Sequence, residues 1–177
     1  MFIAGIVVMS LDGCLTRHGA AGTGFSSAAD HAFFRDALRG FDCSIAGRKT
    51  FEAGRESILR AREGSRLQII LTTTPARFAA EARPEHLEFR DQGLSAVARE
   101  LRDRGRTRCA VVGGGGLYRD ACALGLLDEL WITVEPLAFG EGVRMFDGPV
   151  DFAFQLLSHE ALSPQTLLLK YRRALRP

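Results

Sequence analysis

Apolar residues along this chain come in short runs, each closed by glycine or polar residues, and the runs alternate with stretches of helical period. Phe2–Met9 is the longest run and reads as a buried strand, closed by the Asp12-Gly13 turn. Phe41–Ala46, Leu67–Leu71, Cys109–Val112 and Leu130–Val134 read as further strands, with a short apolar stretch near Leu87–Phe89. Between the first two, Ser27-Ala-Ala-Asp30 has capping-box spacing, with Asp in place of the usual Glu, and predicts a helix to Leu38. Phe34 and Leu38 follow Asp30 on one stripe, and Phe33 and Ala37 lie on the next. Leu94, Val97, Ala98 and Leu101 mark an amphipathic helix, and Leu117 to Leu124 form another helical segment. Phe152–Leu157 and Thr166–Tyr171 are two strands joined through Leu162-Ser-Pro-Gln165, with no room for a crossover helix, so a hairpin at the sheet edge is expected. The pattern predicts an α/β fold, a mixed sheet with helices on both faces, as one domain over residues 1–177.

The chemistry gathers at strand ends. Cys109-Ala-Val-Val112 runs into four consecutive glycines, where the backbone can turn sharply and a ligand can approach with no Cβ in the way. N–H groups at the start of the following helix make an anion site, and open α/β sheets bind ligands beyond the carboxyl ends of their strands. A flexible turn is the plainer alternative. Two nucleotide motifs are excluded: Tyr118 stands where Gly-x-Gly-x-x-Gly needs its last glycine, and Asp42 stands where a Walker loop before Gly47 needs its first. Leu15–Phe25, with Gly19, Gly22 and Gly24, is either a lid over a site or a connector. Asp30 is either a helix-terminus carboxylate or a lone acid facing a cleft beside Phe34.

Composition narrows the picture. The 177 residues are 46% hydrophobic and 25% charged, as in an ordinary globular protein, and suffice for one full core. A net charge of +2 argues against a dedicated nucleic-acid binder, and the five arginines in Arg99–Arg108 read as a solvated helix end. No run reaches membrane-spanning length and no signal-peptide pattern is present, so no membrane association and a cytoplasmic location are expected. Cys14, Cys43, Cys109 and Cys122 form no Cys-x-x-Cys pair, so no metal site is expected; Cys43 and Cys109 read as core residues.

Gly47-Arg-Lys-Thr50, Thr72-Thr-Thr74 and Gly113–Gly116, in that order at three strand ends, resemble dihydrofolate reductase. They more closely resemble the reductase domain of the riboflavin-pathway deaminase–reductase, a likeness running from Met9-Ser-Leu-Asp-Gly13 through Gly125-Leu-Leu-Asp-Glu-Leu130 to Pro136-Leu-Ala-Phe-Gly140. The resemblance implies a dihydrofolate reductase-like three-layer α/β/α fold, with a mostly parallel central sheet and a C-terminal antiparallel hairpin. It implies NADPH as cofactor, with Gly47, Arg48, Lys49 and Thr50 at the pyrophosphate and 2′-phosphate and Thr72 and Thr73 supplying hydroxyls to the latter. Gly113, Gly114, Gly115 and Gly116, with Leu117 and Tyr118, would close over the pyrophosphate and nicotinamide side, while Val8, Met9 and Ser10 pass beside the ring.

By the dihydrofolate reductase resemblance Asp30 is the pocket acid that helps protonate a substrate nitrogen, with Phe34 one turn later and Thr133 supporting it; Asp12 is placed with them at a small-molecule substrate, and the riboflavin-type resemblance implies a homodimer. The best single substrate is 5-amino-6-(5-phosphoribosylamino)uracil, with Arg55 or Arg17 as the cation for its phosphate. The alternatives are a dihydrofolate or pterin reductase, or a nucleotide-binding protein that keeps the scaffold without catalysis. The chain departs from the riboflavin pattern at Val112, where that family commonly has Glu, and at Cys14, where it has a basic residue. It also lacks an Asp-Asp-Pro segment near Phe51–Leu59.

Overall fold

The computed structural model describes residues 1–60, 66–146 and 148–174. Six parallel strands come first: β1 (Phe2–Ser10), β2 (Cys43–Gly47), β3 (Leu67–Leu71), β4 (Leu87–Arg90), β5 (Arg108–Val111) and β6 (Glu129–Glu135). The hairpin β7 (Phe154–Ala161) and β8 (Leu167–Arg173) completes one eight-stranded sheet in the order β4-β3-β2-β5-β1-β6-β8-β7. Among the described residues, four helices connect the parallel strands: α1 (Ala28–Leu38), α2 (Arg48–Arg60), α3 (Leu94–Asp103) and α4 (Gly115–Ala123). A short 3₁₀ segment, Pro75–Glu81, links β3 to β4.

Alternation along β1 shows how the layers form. Ala4 and Ile6 pack with Leu38 of α1 and Phe41, whereas Ile3 and Val7 pack with Val97 and Leu101 of α3 and Tyr118 and Cys122 of α4. Ala46 and Ile70 meet Phe51 of α2 and Phe78 of the 3₁₀ segment. α1 and α2 therefore cover one face, and α3 and α4 the other. A strand buried on both faces needs a near-continuous apolar run, which is why Phe2–Ser10 shows no polar alternation.

The fold class expected from the sequence is the observed one, with shifts at element ends. α4 begins at Gly115 rather than Leu117, because the first helical turn needs no intrahelical acceptors for its N–H groups and Gly114 serves as N-cap. The hairpin lies two residues further along in its first strand, and β7 is exposed over most of its length, with Leu156 and Leu157 in solvent. Of the five arginines near α3, Arg99, Arg102 and Arg108 are exposed as expected, whereas Arg104 and Arg106 are half-buried in an ion-pair cluster. Arg104 bonds Glu85, Glu88 and Glu100, Arg106 bonds Glu85, and Arg90 bonds Glu88 and Glu100, tying the helix to β4. On the α1 side, Trp131 of β6 donates its indole N–H to Glu129 at 2.7 Å under Lys170, whose Nζ lies 4.3 Å from the ring centroid.

This order positions a site. β1 leads to α1 on one face, while its neighbour β5 leads to α4 on the other, so the loops after these two adjacent strands diverge. A crevice opens there, at the carboxyl ends of the parallel strands.

Candidate active site

Two helix starts converge beside that crevice, α2 after β2 and α4 after β5, on neighbouring strands. The Gly47 N–H donates to the Gly113 carbonyl at 2.9 Å, lacing the two loops together. A Cβ at Gly113, whose φ is +125°, would press to 2.9 Å from Thr50 Oγ1, and one at Gly115 would collide with the Arg144 carbonyl. These glycines are needed for close backbone approach. Gly115 is covered in this way, but Gly116 is exposed and a Cβ there would meet nothing within 4 Å, so one side of the first turn of α4 is open. In α4 the Leu117 N–H already returns to the Gly114 carbonyl at 2.9 Å, which leaves the N–H groups of Gly115 and Gly116 as first-turn donors without an intrahelical acceptor. That combination of free donors, room and no side chains in the way fits the pyrophosphate of a dinucleotide.

The individual cofactor residues divide. Arg48 is ion-paired to Glu52 at 2.6 Å on the surface of α2, Lys49 is exposed, and Thr50 lies against Gly113. Thr73 is exposed, whereas Thr72 is buried and its hydroxyl accepts the Thr74 N–H at 3.3 Å. Leu117 packs against the core. Two expected contacts are corrected. Tyr118 is 2% exposed and its hydroxyl donates to the Ile6 carbonyl at 2.6 Å, so its side chain holds α4 to β1; burial pushes the phenol well above its ordinary range. Ser10 is fully buried, with its hydroxyl donating to Asp12 Oδ1 at 2.5 Å and accepting the Cys14 N–H at 3.0 Å, which leaves nothing for a cofactor.

Asp12, expected at the substrate, is also engaged elsewhere. Its Oδ2 accepts the N–H groups of Phe139 and Gly140 at 3.1 and 2.7 Å, clamping the β1 turn to the loop after β6. The Ser10 hydroxyl, then the Gly140 N–H, hold its carboxyl down at about 2. Arg55 pairs with Glu81 through two bonds of 3.0 and 2.5 Å. Arg17 stacks over Phe139, 5.1 Å from its centroid. The start of the Leu15–Phe25 stretch is tied down: Leu15 donates to Val143 at 2.7 Å, and Thr16 Oγ1 accepts from the Val143 N–H at 3.0 Å.

The acid pocket lies between the start of α1 and β6. Ser27 caps the helix, its hydroxyl accepting the Asp30 N–H at 3.2 Å. In a capping box the N3 acid returns to the cap N–H. Here Glu135 takes that place: Oε1 accepts the Ser27 N–H at 2.8 Å, and Oε2 accepts the Thr166 hydroxyl at 3.1 Å. Asp30 is thereby released from capping. It is 5% exposed and lies by Thr133, which pairs with Val8 across β1 and β6 and so shares its face of the sheet. Phe34, one turn on, is half-buried against the same layer. Burial raises the Asp30 carboxyl above its ordinary value; the Thr133 and Ser26 hydroxyls oppose this, and the charge of Glu135 adds to it. The Ser26 hydroxyl is the weaker support, since it is buried with no partner at good hydrogen-bond geometry.

Glu135 and Thr166 escaped sequence reasoning. An acid closing an otherwise apolar strand, just before Pro136, was the available signal. Openings of about 620 and 350 Å³ lie elsewhere, the first around Phe2, Gly125, Phe152 and Arg173, the second around Pro75, Pro84 and Phe89. Neither is lined by a site residue named above, and the buried acid and convergent helix starts are the better guide. Among the described residues, no group of three or more His, Cys, Asp or Glu could hold a metal ion, and no helix is long and apolar enough to cross a membrane.

The family model of the RibD C-terminal domain matches residues 2–168. No curated protein matches the sequence. A putative riboflavin biosynthesis protein from Shewanella sp. PV-4 superposes with a TM-score of 0.75 at 19% identity, covering 99% of this chain and 100% of that one. The diaminohydroxyphosphoribosylaminopyrimidine deaminase/5-amino-6-(5-phosphoribosylamino)uracil reductase from Thermotoga maritima gives 0.78 at 18% identity; it covers 98% of this chain, which spans 56% of that one. Dihydrofolate reductase from Enterococcus faecalis, complexed with NADP(H) and RAB-propyl, gives 0.71 at 17% identity, covering 97% and 96%. At these identities the superpositions establish a shared dihydrofolate reductase-like fold.

Proposed function

The chain belongs to the RibD C-terminal domain family, an oxidoreductase family of riboflavin biosynthesis, and from that premise we propose that it is an NADPH-dependent reductase. Its substrate in this reading is 5-amino-6-(5-phosphoribosylamino)uracil or a close analogue, reduced at the ribosyl carbon to the ribityl product. One observation carries the reductase chemistry, though not the choice of substrate: a buried carboxyl, Asp30, stands beside β1 and β6 next to the crevice on which the glycine loop and two helix starts converge.

Each part has its task. The helix starts at Arg48 and Gly115 hold the pyrophosphate, and Arg48 exchanges its exposed partner Glu52 for the 2′-phosphate. Val8, on the Thr133 face of β1, offers an apolar edge to the nicotinamide, which when bound supplies the hydride. Asp30 holds a proton in a dry pocket for the substrate atom that gains an electron pair as its carbon is reduced. For the ribosyl substrate that atom is the ring oxygen.

A pterin substrate is the second reading, and the Asp30–Thr133 pairing favours it, because a buried acid supported by a threonine also suits protonation of a ring nitrogen. Loss of nicotinamide absorbance with each substrate separates the two. Oxidation with the phosphoribosyl-pyrimidine alone supports the first reading, and oxidation with dihydrofolate alone overturns it. NADPH should bind about ten- to a hundredfold tighter than NADH, a preference that Arg48→Ala removes. Equal binding of both cofactors by the wild type would sink the placement of Arg48.

A further inference from the structure

Glu135 has no part in the reading above, yet it is 2% exposed and sits at the end of β6, two residues beyond Thr133. Buried carboxylates are costly unless their oxygens find donors. Glu135 finds them in two other elements, the Ser27 N–H at the start of α1 and the Thr166 hydroxyl just before β8. The Ser27 and Thr166 hydroxyls are themselves 3.1 Å apart, which closes the set into one network. It joins the helix carrying Asp30 to the strand carrying Thr133.

The network also divides the donors unequally. The cap N–H that an N3 acid would take goes to Glu135, and the Asp30 carboxyl is left with Thr133 and the poorly aligned Ser26. Two carboxyl groups whose donors differ in this way are suited to separate roles. The charged and titratable groups that bear on Asp30 are Glu135 from β6, which favours the protonated form, and His31 from α1, which opposes it. The N-terminal end of a helix also favours an anion, so burial and Glu135 act against both His31 and the helix.

We propose that Glu135 is a positioning residue: by taking the Ser27 N–H and the Thr166 hydroxyl it docks the start of α1 on β6 and keeps the proton of Asp30 in place beside Thr133. The catalytic consequence rests on the reductase reading, but the positioning does not, and the test separates them. Carboxyl ¹³C NMR on the whole chain, with Asp30→Asn to assign the signal, follows Asp30 in the wild type and in the isosteric Glu135→Gln, which keeps an acceptor for Ser27.

In the wild type the Asp30 signal titrates above the ordinary aspartate range, and in Glu135→Gln it moves to lower pH. A wild-type signal in the ordinary range, or no displacement in a folded Glu135→Gln, overturns the proposal. Because the wild-type titration is itself decisive, the proposal remains testable even if the variant does not fold. In turnover, Glu135→Gln keeps the acidic plateau of kcat but loses about tenfold on the alkaline limb for each unit of displacement, with KM little changed. A uniform loss across pH marks a merely structural residue and overturns it. Full turnover of Asp30→Asn sinks the catalytic role of Asp30 while leaving the NMR result to judge Glu135.

Discussion

Two clusters of acids in this molecule are built from the same functional group and reach opposite ends. Asp30 and Glu135 lie under the start of α1, with hydroxyls and one backbone N–H for company. Glu88, 9% exposed, lies on β4 among arginines, bonded by Arg104 and Arg90. Burial pushes the Glu88 carboxyl up, but the Arg104 hydrogen bond, the Glu85 N–H and both arginine charges outweigh it and hold the group below its usual value. Its partner Arg104 is pushed up in return, chiefly by the bond to Glu88. Burial is thus not what separates the clusters. The difference is cations: no arginine bears on Asp30, whose carboxyl is raised, whereas two arginines bear on Glu88, whose carboxyl is lowered.

The severest challenge to that contrast is Asp30→Asn. Turnover of NADPH should fall by about 10²–10⁴-fold in steady-state assays, the range for a general acid. A folded variant with unchanged turnover would make the two clusters differ in electrostatics only. Next in size, Glu88→Gln should cost about 1–2 kcal/mol of stability in urea titrations, because it weakens charge-assisted bonds while Glu85 and Glu100 still hold Arg104. A midpoint equal to wild type would mean that the arginine cluster is ornamental.

The pH dependence of folding sharpens the comparison through its sign. Asp30 has a raised folded value, so its contribution is fully present below the ordinary 3.8 and is lost as pH rises through the folded value. Asp30→Asn should therefore gain on wild type as pH rises over that window. Glu88 has a depressed folded value, so its contribution is present above 4.5 and is lost as pH falls through the folded value. The gap between wild type and Glu88→Gln should close on acidification. Urea midpoints across a pH series read both slopes, and slopes of the same sign would refute the contrast. The smallest effect is a control: Glu52→Gln breaks the exposed Arg48 pair and should cost no more than about 0.5 kcal/mol, less in high salt.

Much of this was legible in the sequence, and the reasons are local. Phe2–Met9 could only be a strand buried on both sides, and Leu94, Val97, Ala98 and Leu101 could only make one apolar stripe; both occur as expected. Asp30 was visible as an acid in the first turn of a helix. That the cap N–H goes to Glu135, far along the chain, and not to Asp30 could not be read locally. Ser10 was misread because a short polar side chain next to a turn bonds its own neighbours, here Asp12 and Cys14, before any ligand. Tyr118 followed the glycines closely enough to suggest cofactor contact, but α4 packs that side of its surface onto β1. Arg104 and Arg106 looked solvated, like their exposed neighbours Arg99, Arg102 and Arg108, because their acids, Glu85 and Glu88, precede them by a whole helix.

Trp131 gives the fold a use beyond its chemistry. It is the chain's one tryptophan, and it stands on the α1 face of β6, two residues before Thr133 and near Phe33 and Phe41. Indole emission responds to the field and polarity around the ring, and here that field includes an ammonium above it and a carboxylate on its N–H. The protein therefore carries a built-in optical reporter for the layer formed by α1 and β6. Emission excited at the indole band reads the docking of that helix without any label, and energy passing from Trp131 to a bound nicotinamide would register cofactor occupancy in the same cuvette.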